Sequence, residues 1–342
     1  MITLLILADI ILSGTLVSTG QMAQEPHAFF RERIGLSDSQ ISEIDEGKAV
    51  VIMLPTGSSA EMFIFGAIKV NVTPENYLNF AFDMNRLRGL PGYLCVERFS
   101  DPPMLSDLKG FTLEPDDIKT LKGCRPGKCD VQLSPEAMRR LQEALDWSAP
   151  DVSEQVNERV RKMALELLVR YQQHGNSALE VYQDKSRPFN VDVEFQSLLG
   201  QTDILPVYLP ELKRYLLEYP AARPANAESF FYWEKVDFGL KPTLRLNHVI
   251  AYESTGPIGK AYLVVVKQIW ASHYFQLALD LTAFVPKSGS TNAVGAYVIS
   301  LRVSEQQGLS GFMGFFRRRI VVSRTLSAQE NSLIDIKKAL EK

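Results

Sequence analysis

From Ser229 to Val303 the apolar residues recur at every second position, the spacing that lines one face of a β-strand. Strands are predicted over 230–238, 243–252, 261–270, 273–285 and 296–303. Turn residues separate them at Gly239, at Gly256-Pro257-Ile258-Gly259 and from Pro286 to Ser290. Successive strands joined by short turns predict an antiparallel meander. Nearer the N-terminus a helix over 36–47 starts at a Ser cap and ends at Gly47. A β-branched run over 48–54, the turn cluster 55–59 and a second strand over 61–71 then read as a hairpin.

The period changes to that of a helix at Thr73-Pro74-Glu75, a cap followed by proline at the first helical position. This helix is predicted to reach Arg88, with Tyr77, Phe80, Ala81 and Met84 on one face, and a strand follows over 93–99. A small helix over 115–121 comes after the Pro102-Pro103 loop. Over 134–220 the character changes to helix. Met138, Leu141 and Leu145 mark one helix, and Val156, Val160, Met163 and Leu167 form the stripe of a longer one over 152–173. A further helix is predicted over 203–219, before the breaker 220–224. The chain closes on a helix after Gly308, Gly311 and Gly314, with Phe312, Phe316 and Ile320 four apart and Leu333, Ile336 and Leu340 continuing a face. The pattern as a whole is α+β.

Composition narrows the possible roles. Of 342 residues, 46% are hydrophobic and 23% charged, which permits a sizeable core in one large domain or two. A net charge of −3 without a basic run is not the profile of a nucleic-acid binder. The apolar run from Ile2 to Val17, with small residues at Ser18 and Gly20, reads as an export signal over 1–20 that lacks the usual basic start, the alternatives being a buried N-terminal helix or an uncleaved anchor. Export predicts a periplasmic or secreted protein. Cys124 and Cys129 bracket Arg125-Pro126-Gly127-Lys128, a type II turn signature that can bring their Cα atoms within disulfide range. A disulfide there agrees with an oxidising compartment. A zinc site would need two further ligands, and no histidine lies nearby, so no metal is expected. Cys95 sits in a predicted strand as a buried free thiol.

The order of elements is similar to the START-like, or polyketide cyclase-like, helix-grip superfamily. The residues that carry the likeness are Phe63-Ile-Phe-Gly-Ala-Ile-Lys-Val-Asn-Val-Thr-Pro-Glu75 and Tyr297-Val-Ile-Ser-Leu-Arg-Val303, followed by the glycine-rich start of the last helix. The resemblance implies a curved antiparallel sheet gripping a long C-terminal helix above an apolar cavity. On that plan 21–133 and 221–342 complete one domain and 134–220 is a helical insertion. The size of that insertion leaves open a second plan, with a mixed N-terminal domain, a helical middle and a C-terminal sheet domain.

The implied role is to bind or carry a hydrophobic small molecule or lipid, held between the sheet and the C-terminal helix. Ligand-facing candidates are Trp270, His273, Tyr274, Gln268, His248 and Tyr297. Trp270 and Tyr274 would stack on the ligand while His273 or Gln268 orients its polar end. The same aromatics equally suit a sheet core. A hydrolase or cyclase would instead use His248 or His273 as a base, with Glu234, Asp237 or Asp280. No nucleotide loop, catalytic triad spacing or cofactor motif is present. Phe312-Met-Gly-Phe-Phe-Arg-Arg-Arg319 combines aromatics and cations in a way that suits peripheral membrane contact or burial against the sheet. A third possibility is an envelope adaptor that docks a partner through 152–218.

Overall fold

The structure, a computed structural model, describes residues 26–90, 92–201, 204–225, 227–256, 259–287, 295–307 and 311–342, with the backbone alone at 206, 256 and 311–317. The export segment expected over 1–20 lies outside the described residues, as do Gly308, Pro257 and Ile258. So do the side chains of Phe312 and Phe316.

Helix α1 (Pro26–Phe29) runs into a π-helical turn, Phe30–Ile34, and α2 (Asp38–Asp45) follows. Ser37 and Gln40 close a capping box at the start of α2. Strands β1 (Val50–Leu54) and β2 (Glu61–Val70) form the expected hairpin. The single helix expected from Thr73 is two, α3 (Pro74–Phe82) and α4 (Met84–Arg88). Asp83 leaves the helical region (ψ 96°) and its carboxylate accepts from Asn85 N at 2.9 Å, so it ends one helix and caps the next.

Strand β3 (Tyr93–Arg98), a 3₁₀ turn at Leu105–Leu108 and α5 (Pro115–Leu121) precede the disulfide turn. Cys124 and Cys129 are bonded, with Cα atoms 4.6 Å apart, and Gly127 has φ 84°. A type II turn requires positive φ at its third residue, which glycine tolerates without cost.

The middle region contains α6 (Pro135–Ala144), α7 (Val152–His174), a two-residue hairpin of β4 (Val181–Tyr182) and β5 (Phe189–Asn190), then α8 (Val191–Gly200), α9 (Ile204–Tyr208) and α10 (Pro210–Glu218). Pro210 divides the helix expected over 203–219. The meander comprises β6 (Glu228–Val236), β7 (Thr243–Gly256), β8 (Gly259–Ala271), β9 (Phe275–Pro286) and β10 (Ala296–Gln306), and α11 (Gly311–Leu340) closes the chain.

One antiparallel sheet has the order β1-β2-β10-β9-β8-β7-β6-β3. The N-terminal strands therefore flank the C-terminal meander on both sides and share its sheet. Alternate residues of each strand face opposite layers. Phe63, Phe65, Ile299, Leu301, Leu263 and Val265 pack with the middle helices through Leu167, Leu168, Phe195 and Leu212. Ile64, Ile68, Val70 and Val298 face the other way, toward α11 and α3. There Tyr77 stacks on Phe284 with ring centroids 4.9 Å apart. Helix α11 packs tightly on β2 at Gly66, where a Cβ would stand 2.9 Å from Leu333 Cδ1. The helical middle region and α11 thus cover opposite faces of the sheet.

Candidate functional site

A cavity of about 350 Å³ lies between the sheet and helices α6 and α7. Leu246 and Trp270 form its sheet wall. Phe111, Leu133, Val160, Met163, Ala164 and Leu167 complete an apolar lining. The volume falls in the range of small-molecule sites, roughly 300–1,000 Å³. Trp270 is fixed by its indole N–H, which donates to Gln132 O at 3.0 Å, and its ring tilts against Phe111 at 6.1 Å. Glu136, Arg140, Arg170 and Glu180 supply the polar part of the lining. Arg140 pairs with Glu166 at 2.7 Å and Arg170 with Glu180 at 2.9 Å, so both guanidiniums are held in place at the edge of an apolar space. Helix α6 takes its position from Ser134, whose hydroxyl accepts from Ala137 N at 3.2 Å. This cavity is on the face opposite α11, whereas the likeness drawn from the sequence put the ligand beside α11.

Of the six side chains expected to face a ligand, Trp270 lines this cavity. Gln268 does not, although two residues of spacing should put it on the same face. The β7–β8 register shifts between Leu246 and Asn247, so Trp270 leaves the alternation and joins Ile269 on the cavity face, while Gln268 keeps the opposite face with Val264 and Val266. There its amide oxygen accepts from Arg245 Nε at 3.2 Å and its amide nitrogen donates to Phe275 O at 3.0 Å.

His273 lies in a corner beside the disulfide turn. Its Nδ1 meets Asp130 O at 3.1 Å and its Nε2 meets Asp117 Oδ2 at 2.9 Å. Each ring nitrogen thus stands against an oxygen acceptor. Lys241 Nζ reaches the other Asp117 oxygen at 3.0 Å. Burial by itself would raise the Asp117 carboxyl, but the His273 and Lys241 contacts outweigh it and hold the group below its ordinary value. The partner expected for a histidine was Glu234, Asp237 or Asp280, and the one found is Asp117, far away in sequence. Tyr274 adopts φ 62° and its hydroxyl accepts from Lys241 N at 3.1 Å. That conformation turns the chain just before β9, so the strand expected over 273–285 begins at Phe275.

His248 is fully buried on the same face as the cavity. Its Nδ1 is 3.2 Å from the Tyr171 hydroxyl and its Nε2 is 2.7 Å from Ser229 Oγ. Burial, with Lys267 and Arg223 adding, pushes its pKa well below the usual histidine value. The ring is therefore neutral and a weak base. Tyr297 is elsewhere again: its hydroxyl donates to Asp45 Oδ1 at 2.6 Å and lies 3.0 Å from His27 Nε2, beside α1. The six candidates are thus dispersed over five places.

Charged side chains are buried on both faces of the sheet, Lys267 on one and Glu234 on the other. Lys267 is buried opposite His248, its ammonium 4.1 Å from the Phe195 ring centroid and 5.2 Å from that of Tyr171. Its Nζ donates to Asn176 Oδ1, and Asn176 is oriented by donating to Leu216 O at 2.9 Å. Burial lowers the Lys267 pKa to about 7, against a small upward pull from Asp192. On the other face Arg245 Nη1 lies 2.9 Å from Glu234 Oε1. Burial raises the pKa of Glu234 despite this partner. The signal for Lys267 was present in the sequence, since period two puts it on the face of Leu263 and Val265.

Arg318 donates to Glu61 O at 2.9 Å and to Ser59 O, so this arginine of the run proposed for membrane contact is engaged with the start of β2. Among the described residues no helix is long and apolar enough to cross a membrane, and no group of His, Cys, Asp and Glu could hold a metal ion. No family model matches the chain, and a search of curated proteins finds no match.

Proposed function

We propose that this chain binds or carries a hydrophobic small molecule or lipid in the cavity between Trp270, Leu246 and helices α6 and α7. The single observation that carries this reading is the cavity itself, lined mainly by apolar side chains and polar at Glu136, Arg140, Arg170 and Glu180. A ligand that removes about 200 Å² of apolar surface from water there gains roughly 5 kcal/mol before the costs of association. The neutral, sealed His248 and the doubly engaged His273 favour binding over acid–base catalysis.

The Cys124–Cys129 bond supports a periplasmic or secreted setting. Bending of the sheet round α11 is part of the same proposal. A Cβ at Gly239 would lie 3.8 Å from Arg324 Nη1, although the β6–β7 turn is several strands across the sheet from β2. A flat sheet would separate them by roughly 19 Å at about 4.8 Å per strand.

Titration with the fluorescent probe N-phenyl-1-naphthylamine tests the site. The wild type should bind it saturably, and palmitate should displace it. Ala164→Trp fills the cavity from α7 and should weaken binding at least tenfold with the circular dichroism unchanged. Equal binding by the two proteins would sink the assignment.

A further inference from the structure

The cavity between the sheet and helices α6 and α7 has a closed apolar end and an open charged one. Its lining on α7 starts at Val160 and ends at Arg170. At ~1.5 Å per residue the two are about 15 Å apart along the helix. Phe111 stands at the Val160 end, because Leu113 N donates to Asn157 Oδ1 at 2.9 Å and holds that loop against the start of α7. The Phe111 ring and the Trp270 indole close the floor with Leu246, and all three are buried. The charges gather at the other end. Arg170 pairs with Glu180, and Arg140 with Glu166, one turn before Arg170. Val181 beside them is 40% exposed, so water reaches this end.

Volume and length limit what can enter. An apolar cavity of about 150 Å³ holds a benzene ring, so a cavity of about 350 Å³ takes about fourteen heavy atoms at the same packing. An acyl chain in a bilayer fills half of a hydrocarbon core roughly 30 Å thick, which is also the length available along α7. One chain fits, and the second chain of a bilayer phospholipid has no room.

We propose, resting on the hydrophobic-ligand reading of this cavity, that the ligand is a single-chain amphiphile of about twelve to fourteen carbons. Its tail ends at Phe111, Leu246 and Trp270, and its hydrogen-bond-accepting head lies at Arg140 and Arg170. Each guanidinium gives one Nη to a carboxylate, and its Nε and other Nη have no partner among the described residues. Glu136, one turn before Arg140, is bound through both oxygens by Arg139, at 2.7 and 3.0 Å, and does not compete for them. The two arginines and two glutamates of the lining cancel, so the mouth recognises an acceptor and not a net charge.

The test displaces N-phenyl-1-naphthylamine from the full, disulfide-bonded chain with sodium alkanoates from hexanoate to palmitate. Affinity should rise about fourfold per added methylene and level off near tetradecanoate. Met163→Ala empties the space of a lining side chain and should move the plateau to longer chains. Arg140→Met combined with Arg170→Met should weaken tetradecanoate at least tenfold, with the probe's own binding and the circular dichroism unchanged. Protein recovered from phosphatidylcholine vesicles should carry no phospholipid. If the probe binds but affinity climbs unbroken to palmitate, or a two-chain lipid is recovered, the single-chain assignment falls and the cavity reading stands. A plateau at the same length in Met163→Ala also overturns the assignment, since the cavity then does not set the limit. Wild-type alkanoate binding by the double arginine variant overturns the placement of the head. If the probe does not bind at all, the cavity reading falls and this inference with it.

Discussion

Lys267→Met replaces a buried ammonium by an uncharged side chain of similar length. The native group contacts Asn176, Phe195 and Tyr171 and forms no ion pair among the described residues, and burial lowers its pKa from 10.5 to about 7. A lysine carried over that range corresponds to roughly 5 kcal/mol of stability withheld wherever both states would otherwise be protonated. The substitution also leaves Asn176 Oδ1 without its donor, a cost of about 1–3 kcal/mol. Below pH 7 the variant should therefore be more stable than the wild type by about 2–4 kcal/mol. Between pH 7 and 10.5 the unfolded chain keeps the proton that the folded wild type has lost, so wild-type stability rises with pH by about 1.4 kcal/mol per unit. The advantage of Lys267→Met should shrink over that window and reverse near its top. Urea unfolding of both proteins at pH 6.5, 8.0 and 9.5, with the disulfide intact, gives the comparison. A difference that stays constant from pH 6.5 to 9.5 would refute the idea that an uncompensated buried amine sets it.

Other parts of the account predict equally definite outcomes. Asp117→Asn should cost about 3–5 kcal/mol at neutral pH, because it leaves His273 and Lys241 facing a neutral amide. The Asp117 carboxyl is held low when folded, so its contribution is present above the ordinary carboxylate value and fades as pH falls through the folded one. Unfolding at pH 7 and pH 3 should show the variant's deficit shrink in acid. Reducing Cys124–Cys129 should cost about 2 kcal/mol, the loop-closure term for so short a ring, measured as a drop in urea midpoint with unchanged slope. Gly66→Ala should destabilise by about 1–3 kcal/mol through its clash with Leu333, and Leu333→Ala should remove most of that penalty in a double-mutant cycle.

Much of the fold was legible because its elements follow simple periods. The meander strands, the Thr73 cap and the long closing helix emerge within a few residues of where the pattern places them. What the pattern missed depends on contacts between distant residues. The β4–β5 hairpin is two residues per strand, too short to show a period, and Val191–Gly200 is a helix whose Asn190 cap the sequence reading passed over. Asp83 broke a helix that apolar spacing alone would continue.

At the candidate site Trp270 was recognised as a ligand-facing aromatic. Its companion Gln268 was placed on the same face because period-two counting cannot see a bulge. Asp117 and His273 are 156 residues apart, and no local rule pairs them.

Native mass spectrometry of the disulfide-bonded protein after incubation with a total lipid extract tests the occupied cavity most directly. The account predicts that the wild type carries one non-covalent organic mass, released by organic solvent, and that Ala164→Trp carries none. Bare polypeptide mass for both proteins, or the same adduct on both, would contradict it.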